Sequence, residues 1–430
     1  MIMIKVEKSS EQIQSRGGIF FTHELFKQHG IDKLIDKHLG KRTSLVGYDY
    51  SDILLALFYS QHSGATCIED IHQLREDFVN HPQFKICSPD TVLRCLNELK
   101  TDNIVYTSQQ GIVHDFNSNK KLSELLMQII LKTKVLKPAQ EYPMDYDNTV
   151  ADCNKYDAKR SYKMSEGYQP GVASINQIPI YIEGRNGNSN ARYKMKETLS
   201  EVFELAKKYN ILINCFRSDS AAYQKEIIEL MEHSNKFFYI RMISCPDLKM
   251  NIREIKEWKQ MEYNCHSIEL AEIWYAPFDD KKKYRVIVQR KKNNTTQVDA
   301  FSQTDYEYYA IITNDETSTP QEVHIFYNQR GGASENVIDI LKNDFNWNHL
   351  PCSFLSQNTA FMILSAISYV LFVWMKSIIS KHIKGITHHG RLKQYIFKFI
   401  NVATKWIHSG RQIILKVFSD RGYEFIPLKI

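Results

Sequence analysis

The sequence predicts an α/β protein in which a central sheet lies between two helical regions of the chain. Three observations support this fold class. Apolar residues recur at helical spacing through about residues 20–135, strand and helix patterns alternate from about residue 140, and helical patterns return after about residue 334. Hydrophobic residues make up 43% of the 430 residues and charged residues 24%, so the chain can bury a substantial core in more than one domain.

The N-terminal region is predicted to be a set of short helices. Ser88 suits an N-cap and Pro89 the first helical position, which predicts a helix over about 89–100, after another over about 66–78. Two successive short helices are compatible with a helix-turn-helix that contacts DNA. Any small helical domain gives the same pattern, so DNA contact and simple packing both stay open.

The middle of the chain predicts the sheet. One strand pattern, EYPMDYDNTV, ends in acids, and two more meet in a hairpin at Asn176-Gln177. An amphipathic helix is predicted over 194–209, followed by a strand, ILINCFRSD, that ends in a carboxylate, and then by another helix and strand. Residues 261–316 are rich in strand patterns.

Two features of the C-terminal part bear on partners. Residues 360–375 are nearly uncharged but fall short of the ~20 residues that span a bilayer, which favours a buried core helix over a membrane segment. Residues 376–430 carry eleven Lys and Arg and two acids, a net charge of 11 − 2 = +9. This basic region suits a polyanion such as DNA, and the alternative is an ordinary solvated helical face.

Three carboxylates stand at positions that suit a reactive site. Asp147 and Asp219 follow predicted strands, where α/β scaffolds place reacting groups. Taken alone, Asp147 could equally be a turn carboxylate and Asp219 a helix cap. Glu335 is predicted at the start of a helix that Ser334 caps, after a sharp turn at Gly331-Gly332.

This combination of residue types is typical of phosphodiester chemistry. Carboxylate oxygens are the ligands that Mg²⁺ prefers, and two such ions can activate a water and stabilise a leaving oxygen. Arg330 and Lys342 supply cations near Glu335 in sequence, which suits a site that handles phosphate.

The residues around Glu335 resemble a family, the DDE-class insertion-sequence transposases. One group of that family carries a Tyr-x-x-Arg…Glu…Lys signature, which Tyr327, Arg330, Glu335 and Lys342 match. Four residues separate Arg330 from Glu335, where the usual pattern has three.

The resemblance implies an RNase H-like mixed sheet with a β-rich insertion, here at about 245–316. It implies that Asp147 is the first metal ligand, with Asp145 as its rival, and that Asp219 and Glu335 are the others. The implied domains are a helical DNA-binding domain over 1–138, a catalytic domain over 139–375 and a basic helical region over 376–430. Trp347 and the aromatic residues of the insertion could stack on an unpaired base, although a core role is favoured.

The resemblance also implies the activity: cleavage and joining of double-stranded DNA at the terminal inverted repeats of the element, with insertion into target DNA by a cut-and-paste route. The implied cofactor is Mg²⁺, for which Mn²⁺ can substitute. A homodimer on DNA is expected, with the C-terminal helices in part of its interface, in the bacterial cytoplasm at the nucleoid and without a membrane. A non-catalytic DNA-binding regulator, a general nuclease and a membrane-associated protein are the alternatives.

Overall fold

A computed structural model describes residues 4–42, 47–78, 84–278, 281–292 and 306–426. The chain forms two compact units. The helical unit comprises Met1–Thr101, Asn119–Val135 and Ile340–Ile430, and the sheet unit comprises Asp102–Ser118 and Leu136–Asp339. The units describe packing, and the functional domains proposed above (1–138, 139–375 and 376–430) stay a prediction.

The regular elements are named in chain order. The α-helices are α1 (Gly18–Gln28), α2 (Ile31–Leu39), α3 (Tyr50–His62), α4 (Ile71–Phe78), α5 (Pro89–Leu99), α6 (Lys120–Thr133), α7 (Met195–Lys208), α8 (Lys225–His233), α9 (Pro246–Arg253), α10 (Pro320–Arg330), α11 (Asn336–Asn343), α12 (Leu355–Ile379) and α13 (Leu392–Tyr395). Short 3₁₀ turns cover Ile68–Asp70 and Ser220–Ala222, and π-helical turns cover Gly331–Glu335 and Ile396–Ile400.

The strands are β1 (Ile104–Thr107), β2 (Val113–Asn117), β3 (Glu141–Asn148), β4 (Ala151–Asp152), β5 (Lys159–Arg160), β6 (Glu166–Tyr168), β7 (Gly171–Ile175), β8 (Ile178–Arg185), β9 (Leu212–Ser218), β10 (Phe237–Arg241), β11 (Lys259–Tyr263), β12 (His266–Tyr275), β13 (Tyr284–Lys292), β14 (Tyr306–Thr313), β15 (Thr404–Ser409) and β16 (Gln412–Val417).

The sheet unit is built on one large mixed sheet. Its strand order is β1-β2-β8-β7-β3-β9-β10-β14-β13-β12-β11. Strands β3, β9 and β10 run parallel to one another, and β7 and β8 continue from β3 in antiparallel pairs. The β-rich stretch forms β11–β14, which joins the same sheet through the antiparallel pair β10–β14. The predicted mixed α/β architecture is therefore present.

The hairpin between β7 and β8 follows directly from its turn residues. Asn176 and Gln177 have φ values of 49° and 65°, as a two-residue turn with both central residues left-handed requires. At the other end of β7, a Cβ on Gly171 would lie 2.1 Å from the hydroxyl oxygen of Tyr146. Only glycine therefore allows β7 to approach β3 so closely at the strand end that carries Asp147.

In the helical unit, α12 forms the centre of the core. It packs against α3, α5 and α6, and its residues from Asn358 to Phe372 are buried. The predicted apolar run of 16 residues lies inside a helix of 25 residues, because polar residues such as Asn358 and Lys376 are also helical. Among the described residues it is the one helix long and apolar enough to cross a bilayer, and 83% of its most apolar window is buried inside the protein.

The prediction that the chain is helical throughout its C-terminal region is wrong at residues 404–417. Strands β15 and β16 form an antiparallel hairpin there. Its turn contains Gly410 with a φ of +60°, and β-branched residues such as Ile407, Ile413 and Ile414 favour strand conformation. The basic side chains between these residues obscured the alternation of apolar and polar residues that is typical of a strand.

The prediction that a helix begins at Glu335 after a sharp glycine turn is also wrong. Helix α10 begins at Pro320, where Thr319 and Glu322 form a capping box. It continues through the π-turn at Gly331–Glu335 into α11. Gly331 has φ −56° and ψ −43°, an ordinary helical conformation, so the two glycines widen a helical turn and do not end one.

Buried His62 leads to a prediction about acid stability. It is fully buried in α3, and its Nε2 lies 3.0 Å from the carbonyl oxygen of Ser368, to which it donates as the neutral ring. Nδ1 is buried without a hydrogen-bond partner among the described residues. Burial lowers the pKa of His62 to about 4 from 6.5. Stability is therefore complete above pH 6.5 and falls as the pH drops from 6.5 towards 4, by about 2 kcal/mol at pH 5.

Urea unfolding at pH 7 and pH 5 checks this expectation. The His62→Gln variant keeps an amide donor for Ser368 but cannot titrate, so its unfolding free energy should change less with pH than that of the unmodified protein. His389→Gln, which alters an exposed histidine, is the control. Equal pH dependence in the His62→Gln variant and the unmodified protein would contradict the assignment.

Candidate active site at the ends of two parallel strands

Asp147 and Asp219 lie side by side at one edge of the sheet. Strands β3 and β9 are parallel, and Tyr146 is the register partner of Ser218. The residue that follows each of them is one of the two aspartates, so both carboxylates lie at the carboxyl ends of neighbouring strands. Asp219 also accepts a hydrogen bond from the backbone N–H of Ala221, 2.9 Å away, and caps the 3₁₀ turn that follows.

Asp145 faces a different environment from Asp147. Its carboxylate accepts two hydrogen bonds from the guanidinium of Arg217, at 2.7 and 2.9 Å, and its side chain is 2% exposed. Arg217 in turn donates to the carbonyl oxygen of Phe326, 2.6 Å away, and lies over the Phe326 ring. Asp145 is therefore occupied by a structural ion pair that joins β3, β9 and α10.

Helix α10 brings two residues of the predicted signature to the same strand ends. Tyr327 donates a hydrogen bond to the carbonyl oxygen of Ser218, 3.2 Å away, immediately before Asp219. Arg330 Nη2 donates to Asp147 Oδ2 at 3.0 Å, and the two side chains are 9% and 18% exposed. The helix is held on the sheet by apolar packing of Val323 and Tyr327 against β9, β10, β13 and β14.

Asp147 is a largely buried carboxylate with charged groups of both signs around it. Burial raises the pKa of Asp147 to about 6, the guanidinium of Arg330 opposes this shift, and the negative charges of Asp219 and Glu335 add to it. Asp219 and Glu335 are thus close enough to act on Asp147 electrostatically. A bound cation would relieve this repulsion and the cost of burying the charge.

Glu335 and Lys342 lie on elements other than the two strands that carry the aspartates. Glu335 is exposed at the last position of the π-turn. Lys342 is half-buried in α11, in the part of that helix that belongs to the helical unit. Trp347, also in the helical unit, is fully buried, as the favoured interpretation as a core residue requires.

The donor set fits a divalent ion in chemistry but is not assembled as a complete metal site. Across the ranges that the structure describes, no three or more His, Cys, Asp or Glu side chains are grouped so that they could hold a metal ion. Asp147 and Asp219 offer hard oxygen ligands with excess negative charge, as Mg²⁺ requires. To act as a third ligand, Glu335 would have to move from its exposed position on the π-turn towards the two aspartates. The predicted roles of all six site residues stay predictions.

Sequence reasoning missed two parts of this region. One is the Asp145–Arg217 pair, whose partners are 72 residues apart and meet only because β3 and β9 are in register. The other is an open cavity of about 590 Å³ that has Asp147 and Asp219 at its edge. Its lining residues come from five separate places in the sheet unit, at 146–148, 160–162, 169, 187–191 and 219, so no local motif in the sequence indicates it.

Comparison with known proteins gives the family. The transposase DDE domain, group 1, matches residues 2–425. No curated protein matches the chain. Two solved structures are similar to it: a piggyBac transposase synaptic complex with hairpin DNA (12% identity, 89% of this chain, 79% of that chain, TM-score 0.43) and the Mos1 strand transfer complex (14% identity, 47% and 60%, TM-score 0.18). Because the family match extends over nearly the whole chain, this protein belongs to the DDE transposases of group 1.

Proposed function

We propose that this transposase cleaves and joins DNA at the inverted-repeat ends of its own insertion sequence by two-metal-ion chemistry, along a cut-and-paste route. The observation that carries the proposal is the pair Asp147 and Asp219, at the ends of adjacent parallel strands with Arg330 bonded to Asp147. Such strand ends are where α/β scaffolds hold reacting groups.

The order of the central strands supports an RNase H-like core. Strands β8-β7-β3-β9-β10 are neighbours, and along the chain β3, β7, β8 and β9 come first to fourth. Asp147 then lies on the first core strand and Asp219 directly after the fourth, as the resemblance implies. Tyr327 and Arg330 contact the same strand ends, which supports membership of the Tyr-Arg-Glu-Lys group.

Each residue has a proposed role. Asp147, Asp219 and Glu335 would hold the ions, with Mg²⁺ as the natural cofactor and Mn²⁺ able to replace it. When bound, the ions would supply an activated water and stabilise the leaving oxygen. Arg330 and Lys342 would offset phosphate charge. Tyr327 fixes the backbone at Ser218 through its hydroxyl and so orients Asp219.

The partner is proposed to be double-stranded DNA, both at the terminal repeats and at the target. The net charge of +9 over residues 376–430 supports contact with phosphates. Joining two ends in one reaction requires two active sites, so we propose a homodimer on DNA. Its place would be the bacterial cytoplasm, at the nucleoid.

Cleavage of DNA at the element boundary tests the proposal. Labelled duplexes that contain each end of the element are incubated with the purified protein and Mg²⁺ or EDTA. The Asp219→Asn variant is the matched comparison, because asparagine keeps an oxygen that caps Ala221 and removes only the charge. Glu257→Gln, which alters an exposed acid elsewhere in the sheet unit, is the control.

We expect Mg²⁺-dependent cuts at the boundary from the unmodified protein and the Glu257→Gln variant, and none from the Asp219→Asn variant. Cuts spread along the duplex would instead make the protein a general nuclease. Specific binding of the ends without cleavage by any of the proteins would make it a DNA-binding regulator.

A further inference from the structure

The cavity beside the two aspartates has walls that the fold holds in place. Its outer wall is the turn after β5, which the backbone of Ser161 closes by bonding to the carbonyl of Ser165 at 2.7 Å. Another wall follows β8 and comes close to strand β5. A Cβ on Gly187 would lie 2.2 Å from the carbonyl oxygen of Lys159, so glycine is needed where the walls meet.

The interior of the cavity offers an unused hydrogen-bonding group. Gln169 lines it and is 4% exposed, yet its side-chain amide makes no hydrogen bond to any residue the structure describes. The amide nitrogen and oxygen of Gln169 are open to the cavity, where they can bond to a molecule that enters it. Asn148, Asn188 and Asn190 add further amides to the same lining. Amide groups of this kind match the donor and acceptor edges of nucleobases.

The mouth of the cavity carries a cation and an aromatic ring. Arg160 is exposed at the end of β5 and, within the described part of the chain, forms no ion pair. Tyr162, two residues later, is 70% exposed and lines the same cavity. An arginine that can bind a phosphate beside a ring that can stack on a base is the arrangement found where proteins hold single strands.

We propose that this cavity binds one unpaired nucleotide of the DNA strand, next to the phosphodiester held at Asp147 and Asp219. The base enters between the amides, Tyr162 stacks on it or on its neighbour, and Arg160 binds the adjoining phosphate. A volume of about 590 Å³ lies in the range of small-ligand sites, roughly 300–1,000 Å³, and suits one nucleotide. The position given to the phosphodiester rests on the proposed function. The nucleotide site itself rests on the residues that line the cavity.

Photo-crosslinking tests the nucleotide site without relying on cleavage. The probe is a tetranucleotide with one 5-iododeoxyuridine, irradiated with the full-length protein in EDTA, and the attached peptide is identified by mass spectrometry. We expect attachment at Tyr162, with loss of that crosslink in Tyr162→Ala and roughly tenfold weaker labelling of this site in Arg160→Ala. Tyr156→Ala and Lys159→Ala change exposed neighbours that do not line the cavity, and should label as the unmodified protein does.

A second measurement addresses the base. An otherwise identical tetranucleotide with an abasic residue in place of its central base should compete less well for the cavity, and Gln169→Leu should remove that difference. The Arg160→Ala and Tyr162→Ala variants change exposed side chains, so the test stands even if Gln169→Leu does not fold.

The outcomes separate this inference from the proposed function. Crosslinks that map only outside the cavity, with Arg160→Ala and Tyr162→Ala labelled as the unmodified protein, would overturn the nucleotide site even if boundary cleavage is observed. Crosslinking at Tyr162 in a protein that never cuts an element boundary would support the nucleotide site and overturn the proposed transposition reaction.

Discussion

The Asp145→Asn variant is expected to lose about 3–5 kcal/mol of unfolding free energy. Asp145 is the counter-charge of Arg217, whose side chain is only 6% exposed, so solvent cannot fully replace the lost partner. Asparagine can accept one hydrogen bond but leaves a buried cation uncompensated. Because Arg217 also donates to the carbonyl oxygen of Phe326, helix α10 should be held less firmly against the sheet as well.

The Asp147→Asn variant, only two residues away, is expected to behave in the opposite way. It should lose less stability than Asp145→Asn, because the neutral amide removes the repulsion by Asp219 and Glu335 that raises the pKa of Asp147, and this offsets part of the cost of leaving Arg330 without that counter-charge. It should show no boundary cleavage, because it removes a proposed metal ligand. Urea unfolding and the cleavage assay measure the two effects on the same samples.

Two further results bear on this contrast. The double variant Asp145→Leu/Arg217→Met replaces the ion pair by apolar groups of similar size, and should recover most of the stability that Asp145→Asn loses. A destabilised Asp147→Asn variant together with a stable, inactive Asp145→Asn variant would transfer the ligand role to Asp145.

The sequence predicted the parts of the fold that local signals specify. The hairpin at Asn176-Gln177, helix α7 and the strand that leads to Asp219 each depend on neighbouring residues, and the structure has them where they were expected. Helix α10 was missed although its capping box at Thr319 and Glu322 is a local signal, because the run VHIFY resembles a strand.

The candidate site was predictable only in part. Asp147 and Asp219 could be named because each follows a predicted strand. The choice between Asp145 and Asp147 depends on Arg217, and no pattern within a single sequence links Arg217 to either aspartate. The exposed position of Glu335 depends on the π-turn, since one extra residue in a turn rotates everything after it. The cavity arises from the packing of separate loops, for which the sequence holds no periodic signal.

Arg330→Gln is expected to reduce the rate of boundary cleavage by about 10²–10³-fold, the usual loss when one preorganised charged donor is removed from a phosphate-handling site. Arg330 is the cation nearest to Asp147, with Nη2 3.0 Å from Oδ2, and it precedes the turn that carries Glu335. Arg330→Lys should lose less activity, because lysine keeps the charge but not the planar fork of donors.

Stability distinguishes a role in the reaction from a structural one. Without Arg330 the pKa of Asp147 rises further, since the guanidinium lowers it, and the carboxyl group takes up a proton near neutral pH. The protein should therefore remain folded while its activity falls. Cleavage rates and urea unfolding are compared with those of Gln329→Ala, an exposed neighbour on the same helix. Arg330→Gln could instead cleave at the unmodified rate, or lose activity only in proportion to its loss of folded protein. Either result would show that the contact with Asp147 is structural. Arg330 would then take no part in the reaction, in line with its unusual spacing before Glu335.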